Sequence, residues 1–324
     1  MKVLVTGGAG YVGAELVDEL VDAGHDVRVL DVLLHGQDDV AQRLESLGVE
    51  LQRGDIRDAD ARQRALDGVQ AVVHLAAIVG DPACGRDPEL SNAVNVEGTA
   101  ALVADARSAG VERLVFASTC SNYGRMADPT VPIDETGELR PVSLYAEQKV
   151  AMERSLLEGD LNGLAATCLR FATVYGVGHR MRFDLTVNEF TRDLWAGRKL
   201  DVFGETFWRP YVHVRDAARA VALVLASPLG KVGGRVFNAG HSDENYRKLD
   251  LVELITKRLG RGDVDYVTRT EDPRDYKVSF ELIRSELGFT PIQRVPTGID
   301  ELVGALEEER FGDPFSPRYS NIAQ

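Results

Sequence analysis

Residues 6–13 read TGGAGYVG, a glycine-rich turn close to the start of the chain. Before it, residues 2–5 form a short apolar run typical of a buried strand, and after it residues 14–23 carry apolar side chains at helical spacing. Residues 27–31 follow a glycine break and predict a second strand. The turn therefore joins the first strand and helix of a βαβ unit, where free backbone N–H groups at a helix start can bind a phosphate.

The spacing of the turn and an acidic residue beyond it together indicate a dinucleotide. Gly7, Gly10 and Gly13 form a Gly-x-x-Gly-x-x-Gly pattern, one residue longer in its first interval than the commoner motif. Asp31 ends the second strand, where a carboxylate accepts hydrogen bonds from the adenosine ribose hydroxyls and repels the 2′-phosphate of NADP. We therefore predict NAD, the alternative being that Asp31 only begins a turn. Asp55, after the third strand, faces either the adenine or a surface loop.

Strands and helices alternate over the first half of the chain. Further strands are predicted at 49–52, 71–75, 114–118 and 165–170, and helices at 40–47, 59–66, 90–108 and 143–157. Apolar strands that alternate with helices indicate an α/β fold with a doubly wound parallel sheet, a Rossmann domain over residues 1–175. Shorter, more polar elements then predict a smaller C-terminal substrate lobe over residues 176–324. A helix at 216–225 and a strand at 235–238 are apolar enough to return to the sheet.

Composition excludes several classes of partner. The 324 residues contain 51 acidic and 37 basic residues, a net charge of −14 with no basic stripe, which disfavours nucleic acid and anionic membranes. No apolar run is long enough to span a membrane, and the chain enters its first strand too early for a signal peptide. Cys84, Cys120 and Cys168 have no metal-binding spacing and predict reduced thiols. We expect a cytoplasmic enzyme without a metal.

A tyrosine and a lysine are the first candidate catalytic pair. Tyr145 and Lys149 lie four residues apart on the predicted helix and so share one face. A phenol with an ordinary pKa of about 10 acts as a base only if its anion is stabilised, and a neighbouring ammonium and a cationic nicotinamide both favour the anion. The strand at 114–118 leads to Thr119 at the sheet edge where ligands bind. A hydroxyl there can share a hydrogen bond with the substrate oxygen.

Taken together, these motifs resemble the extended short-chain dehydrogenases/reductases that act on nucleotide sugars, a family of NAD-dependent epimerases and dehydratases. The resemblance covers nearly the whole chain and rests on residues 6–13, 74–77, 95–99, 118–124, 145–149, 169–176 and 209–214. It implies that Thr119, Tyr145 and Lys149 are catalytic. Tyr145 would remove the proton of a sugar hydroxyl while the sugar carbon that bears this hydroxyl gives a hydride to NAD. Lys149 would hold the nicotinamide ribose.

The resemblance also implies binding residues and an assembly. The cofactor residues are Gly7, Gly10, Tyr11, Val12, Gly13, Asp31, Asp55, Ile56, Leu75, Ala76, Ala77, Asn95, Ser118, Tyr145, Lys149 and Phe171. The substrate residues are Thr119, Thr173, Arg209 and Arg274, with Arg209 clamping the diphosphate of a nucleotide sugar and Arg274 a further diphosphate candidate. Family members dimerise through a four-helix bundle, to which residues 90–108 and 143–157 would contribute.

Two departures from the family pattern bear on the reaction. Cys120 and Ser121 directly follow Thr119, where a 4,6-dehydratase of this family carries Asp-Glu, and Thr173 replaces a common Asn. The second change, with the Arg-rich residues 180–182, suggests an altered substrate mouth. The missing carboxylates and the NAD signature predict an epimerase that forms a transient keto-sugar. The alternatives are a dehydratase that uses Cys120, a keto-sugar reductase, or a redox-sensing or scaffold protein without catalysis.

Overall fold

The computed structural model describes residues 1–267 and 274–322, and the secondary structure alternates through them. The strands are β1 (Lys2–Thr6), β2 (Asp26–Asp31), β3 (Glu50–Arg53), β4 (Ala71–His74), β5 (Arg113–Thr119), β6 (Ala165–Phe171), β7 (Thr173–Tyr175), β8 (Leu200–Phe203), β9 (Trp208–His213), β10 (Arg235–Ala239), β11 (Asn245–Arg247) and β12 (Val264–Val267). The α-helices are α1 (Tyr11–Asp22), α2 (Asp38–Ser46), α3 (Ala59–Leu66), α4 (Asp81–Arg86), α5 (Pro88–Asn92), α6 (Thr99–Ser108), α7 (Leu144–Glu158), α8 (Thr186–Trp195), α9 (Val214–Ala226), α10 (Leu229–Val232), α11 (Lys248–Leu259), α12 (Glu281–Leu287) and α13 (Val295–Glu307).

Seven parallel strands form the central sheet, in the order β10-β6-β5-β4-β1-β2-β3. Alternate side chains of β1 enter two different apolar layers: Val3 and Val5 pack with α1 and α9, whereas Leu4 packs with α3, α6 and α7. Both faces of the sheet are therefore covered by helices, which is why its strands are apolar throughout. This arrangement confirms the predicted α/β fold with a doubly wound parallel sheet.

The second half of the chain contributes to two places. β10 pairs in parallel with β6, and α9 packs beside α1 on the sheet. The other segments build a separate apolar core in which side chains of α8, α11 and α13 pack with β9, and they form two small sheets, β11-β9-β7 and β12-β8. The chain thus crosses between the two parts several times.

The segment predicted as one helix over residues 90–108 is divided. A π-helical stretch, Ala93–Gly98, lies between α5 and α6. It contains the buried Asn95, whose side chain bonds to the main chain of Ile78 outside the helix. The wider turn accompanies a contact that spacing along the sequence does not show.

A substitution at Gly13 tests how tightly the glycine turn is packed. A Cβ at this position would lie 2.2 Å from the carbonyl oxygen of Gly7 and 2.7 Å from Cα of Gly8, both main-chain atoms. We expect Gly13→Ala to lower the free energy of unfolding by about 1–3 kcal/mol, since the turn must move. The control is Gly304→Ala in α13, where no atom lies within 4 Å of the added carbon. Urea unfolding that gives the two variants equal stability would contradict this packing.

Candidate active site

A cavity of about 600 Å³ lies at the carboxyl edge of the central sheet. One wall consists of residues that end or follow the parallel strands, among them Gly7, Asp31, Leu75, Thr119 and Phe171. The facing wall comes from the second half of the chain and includes Thr173, Arg180, Arg182, Asp184, Arg209, Lys248 and Arg274. This is the edge at which ligands bind in open α/β sheets.

The glycine turn forms one end of the cavity. Gly7 has a φ of +74°, and a Cβ on it would lie 2.7 Å from the main-chain nitrogen of Ala76. Gly10 precedes the first turn of α1, and residues 10–13 line the cavity. The side chain of Tyr11 is directed elsewhere, since its hydroxyl donates to the carbonyl of Gly176 at 2.5 Å. The main chain of the turn is therefore left accessible, as phosphate binding requires.

Asp31 lies beside this turn at the end of β2. Its Oδ2 accepts a hydrogen bond from the N–H of Ala9 at 2.9 Å, and its Oδ1 accepts one from Leu33 at 2.8 Å. The side chain is largely buried, and burial raises the pKa of Asp31 in spite of these bonds. Asp55 and Ile56 also line the cavity, and hydrogen bonds from the side chain of Arg57 lower the pKa of Asp55. The dinucleotide end thus has one carboxylate fixed by backbone amides.

Thr119, Tyr145 and Lys149 all line the cavity. Lys149 Nζ donates to the carbonyl of Ala117 at 2.7 Å and lies 5.8 Å from the centre of the Tyr145 ring. Thr119 Oγ1 accepts a hydrogen bond from the N–H of Ser121 at 3.1 Å, at the point where β5 passes into a 3-10 helix. Residues from α7 and from the end of β5 therefore line the same cavity.

The electrostatics of the pair differ from the sequence expectation. Burial raises the pKa of Tyr145, and the neighbouring Cys84 and Asp81 raise it further. Burial lowers the pKa of Lys149 to about 8. Within the protein alone, loss of solvation therefore outweighs the neighbouring positive charges at the phenol. A negative charge on Tyr145 needs further positive charge in the cavity.

The structure places Cys120 in the core and not in the cavity wall. Its side chain is buried, its Sγ donates to the carbonyl of Arg170 at 3.2 Å, and burial raises the pKa of the thiol well above its usual value. Thr119 and Ser121 line the cavity, but Cys120 does not. The thiol faces the core, and this position argues against the catalytic role considered for Cys120.

Asn95 supports the backbone behind the cavity wall. It does not line the cavity; its Oδ1 accepts from the N–H of Ile78 at 2.8 Å, and its Nδ2 donates to the carbonyl of Ile78 and to Gln148. The loop that it fixes begins with Leu75, Ala76 and Ala77, which do line the cavity. Asn95 therefore positions a wall of the site from behind.

Three of the predicted substrate residues, Thr173, Arg209 and Arg274, lie on the wall contributed by the second half of the chain, whereas Thr119 lies on the wall formed by the strand ends. Arg209 lies 5.4 Å from the centre of the Tyr276 ring, and Arg274 Nη1 lies 3.0 Å from a carboxylate oxygen of Asp81. Thr173 lines the same wall, and Ser118 and Phe171 lie across the cavity. Sequence reasoning missed Lys248 and Asp81, whose positions depend on contacts distant along the chain.

Metal centres and membrane spans are absent from the described ranges 1–267 and 274–322. No group of three His, Cys, Asp or Glu side chains there could hold a metal ion. Within the same ranges, no helix is long and apolar enough to cross a membrane. All three cysteines are buried and free.

Comparison with known proteins identifies the family of this chain. A sequence model of the NAD dependent epimerase/dehydratase family matches residues 3–240. The UDP-glucose 4-epimerase of Streptomyces lividans is 31% identical over 310 residues, which cover 90% of this chain and 91% of that protein.

Solved structures with the same fold include members of both reaction classes. The UDP-glucose 4-epimerase of Thermus thermophilus in complex with NAD has a TM-score of 0.83 and 30% identity, covering 95% of this chain and 99% of that one. The dTDP-glucose 4,6-dehydratase from Streptomyces venezuelae with NAD bound has a TM-score of 0.87 and 28% identity, covering 98% and 100%. This chain belongs to the NAD-dependent epimerase/dehydratase family.

Proposed function

We propose that this chain is a nucleotide-sugar 4-epimerase, which oxidises a sugar hydroxyl to a ketone and then reduces the ketone from its other face. One observation carries the proposal: the glycine turn, Thr119, Tyr145 and Lys149 line a single cavity, while the side chain of Cys120 is turned into the core. The similar proteins named UDP-glucose 4-epimerase support the choice of C4 and of a uridine nucleotide.

The residues present fit NAD. A Cβ at Gly7 or Gly13 would fill the space beside the turn, and Asp31 offers a carboxylate at the adenosine end. When bound, NAD supplies an acceptor that takes a hydride from the sugar and returns it in the same turnover. The carboxylate disfavours a 2′-phosphate, which supports NAD over NADP.

Three side chains then have defined tasks at the sugar. Tyr145 accepts the proton of the reacting hydroxyl through its phenolic oxygen and later returns it. Thr119 shares a hydrogen bond with the same substrate oxygen and fixes its direction. Lys149, held by the carbonyl of Ala117, places positive charge below the phenol ring. Oxidation and reduction of one carbon require no other acid or base.

Elimination of water would need a free acid and a free base near the sugar. The described residues that line the cavity include four aspartates, Asp31, Asp55, Asp81 and Asp184. The first two lie at the dinucleotide end, and the other two pair with Arg274 and Arg182, at 3.0 and 2.8 Å. With Cys120 turned away, the cavity favours epimerisation over dehydration.

We also propose that the enzyme is a cytoplasmic homodimer. Ala100 and Ala104 on α6 and Ala151 on α7 are exposed, and such small side chains permit close approach of helices from a second copy. A four-helix bundle formed by α6 and α7 of both copies is consistent with this surface. The three free, buried cysteines agree with a reducing compartment.

The reaction itself is the first test. We expect the NAD-loaded enzyme to convert UDP-glucose into an isomer of unchanged mass with the opposite configuration at C4, as measured by mass spectrometry and NMR. UDP-, dTDP- and GDP-hexoses are compared in parallel. Tyr145→Phe is the control, which should retain bound NAD and form no product. A product lighter by one water would instead identify a dehydratase, and stoichiometric consumption of added NADH with a nucleotide keto-sugar as substrate would identify a reductase.

The orientations of Thr119 and Cys120 give a second test. We expect Cys120→Ala to keep kcat close to that of the wild type, because the thiol faces the core. Thr119→Ala should lower kcat by about 10²-fold, as for loss of a donor to a reacting oxygen, and Thr119→Ser should restore most of it. Steady-state kinetics measure all three variants. A large loss in Cys120→Ala with normal stability would return the thiol to the mechanism.

Asp31 gives a third test, of cofactor choice. Asp31→Asn keeps the size of the side chain and its contact with the N–H of Ala9 but removes the charge. We expect Kd for NAD to rise about tenfold, as for loss of a charge-assisted hydrogen bond, and the preference for NAD over NADP to shrink. Isothermal titration of both dinucleotides against each variant measures this ratio. An unchanged ratio would show that Asp31 does not face the ribose 2′ position.

A further inference from the structure

Arg180 is a cation in the cavity wall that the catalytic scheme does not use. Its side chain is 6% exposed, and it lines the cavity close to the dinucleotide end. Its Nε and Nη2 are buried and form no hydrogen bond with any residue in the described part of the chain. Because burying an unpaired guanidinium costs free energy, a group of this kind usually has a partner.

The loop before Arg180 is fixed against the first turns of α1. The hydroxyl of Tyr11 donates to the carbonyl of Gly176, and the N–H of His179 donates to Glu15 at 2.9 Å. A Cβ on Gly178 would lie 3.0 Å from the Tyr11 ring, so this loop packs closely on the helix. Arg180 therefore extends from a fixed main chain next to the helix start, where the glycine turn exposes its N–H groups.

The surrounding charges place Arg180 at the dinucleotide end. Its electrostatic neighbours include Asp31 and Asp184, which attract it, and Arg182, which repels it. Asp184 already binds Arg182 through both oxygens, at 2.9 and 2.8 Å. Burial and the charge of Arg182 lower the pKa of Arg180 to about 10, so it remains a cation near neutral pH.

The other cationic side chains of the cavity have protein partners. In the described residues these pairs are Arg57 with Asp55, Lys149 with Ala117, Arg182 with Asp184, Arg209 with Trp208, Lys248 with Phe203, and Arg274 with Asp81. Arg180 is thus the cation best placed to accept an anion without breaking an existing bond.

We propose that Arg180 binds the pyrophosphate of the dinucleotide, from the cavity wall contributed by the second half of the chain. The turn offers only backbone dipoles to this doubly charged group, and Asp31 adds a further negative charge nearby. A guanidinium fork matches phosphate oxygens and supplies the missing positive charge. The contact ties the second half of the chain to the cofactor and helps to retain it between turnovers. The inference rests on NAD binding by the family and is independent of the sugar reaction.

The test compares ligands with and without phosphates on protein freed of nucleotide. Arg180→Gln should weaken binding of ADP and NAD about tenfold, as for loss of a charge-assisted contact, and should leave adenosine binding unchanged. The affinity of Arg180→Lys for ADP and NAD should fall between those of the wild type and Arg180→Gln. Arg310→Gln is the matched control, an arginine of the adjoining pocket that does not line the cavity. Isothermal titration measures each pair.

Stability separates this contact from a structural role. Removing an unpaired buried charge should leave the thermal midpoint of the nucleotide-free protein unchanged or raise it, whereas loss of a structural contact would lower it. Equal weakening of ADP and adenosine would overturn the proposal, as would unchanged ADP binding. Weaker UDP binding with normal ADP binding would assign Arg180 to the substrate diphosphate instead. None of these measurements depends on turnover, so failure of the epimerase proposal would be seen separately.

Discussion

The buried ion pair between Glu153 and Arg170 holds α7, which carries Tyr145 and Lys149, against the sheet. Tyr145, Lys149 and Glu153 are spaced four residues apart on α7, so all three face the strands. Glu153 binds the guanidinium of Arg170 on β6 and accepts a hydrogen bond from Ser118 on β5 at 2.7 Å. Both charged groups are almost fully buried, and loss of one partner from such a pair costs about 3–5 kcal/mol. The pair thereby fixes α7, which carries Tyr145, relative to the end of β5, which carries Thr119.

Most of the fold and part of the site follow from local sequence patterns. The apolar strands, the glycine turn and the pair Tyr145 and Lys149 are set by spacings of at most a few residues, which the sequence displays directly. Asp31 was predictable because the length of one βαβ unit places it at the end of the neighbouring strand. In these cases the physical constraint acts along the chain, through helical period, strand alternation and the space that only glycine leaves.

The positions of Cys120, Asn95 and Arg180 depend on contacts across the fold. Cys120 faces the core because β5 passes directly into a 3-10 helix, in which its thiol meets a carbonyl of β6. Asn95 is withdrawn from the cavity by the main chain of Ile78 and by Gln148 on α7. Arg180 reaches the dinucleotide end because its loop packs on α1, more than a hundred residues earlier in the chain. None of these pairings leaves a periodic signal, so only the folded structure shows them.

In the proposed epimerisation one tyrosine would serve both halves of the reaction, and the protein around it disfavours its charged form. Burial raises the pKa of Tyr145 and lowers that of Lys149, so the phenolate needs another positive charge close to it. An oxidised, cationic nicotinamide would supply that charge, and a reduced, neutral one would not. On this scheme Tyr145 would act as a base when the sugar is to be oxidised and as an acid when the ketone is to be reduced. Returning the hydride to the same sugar requires this alternation, and the burial of Tyr145 would link it to the redox state of the bound cofactor.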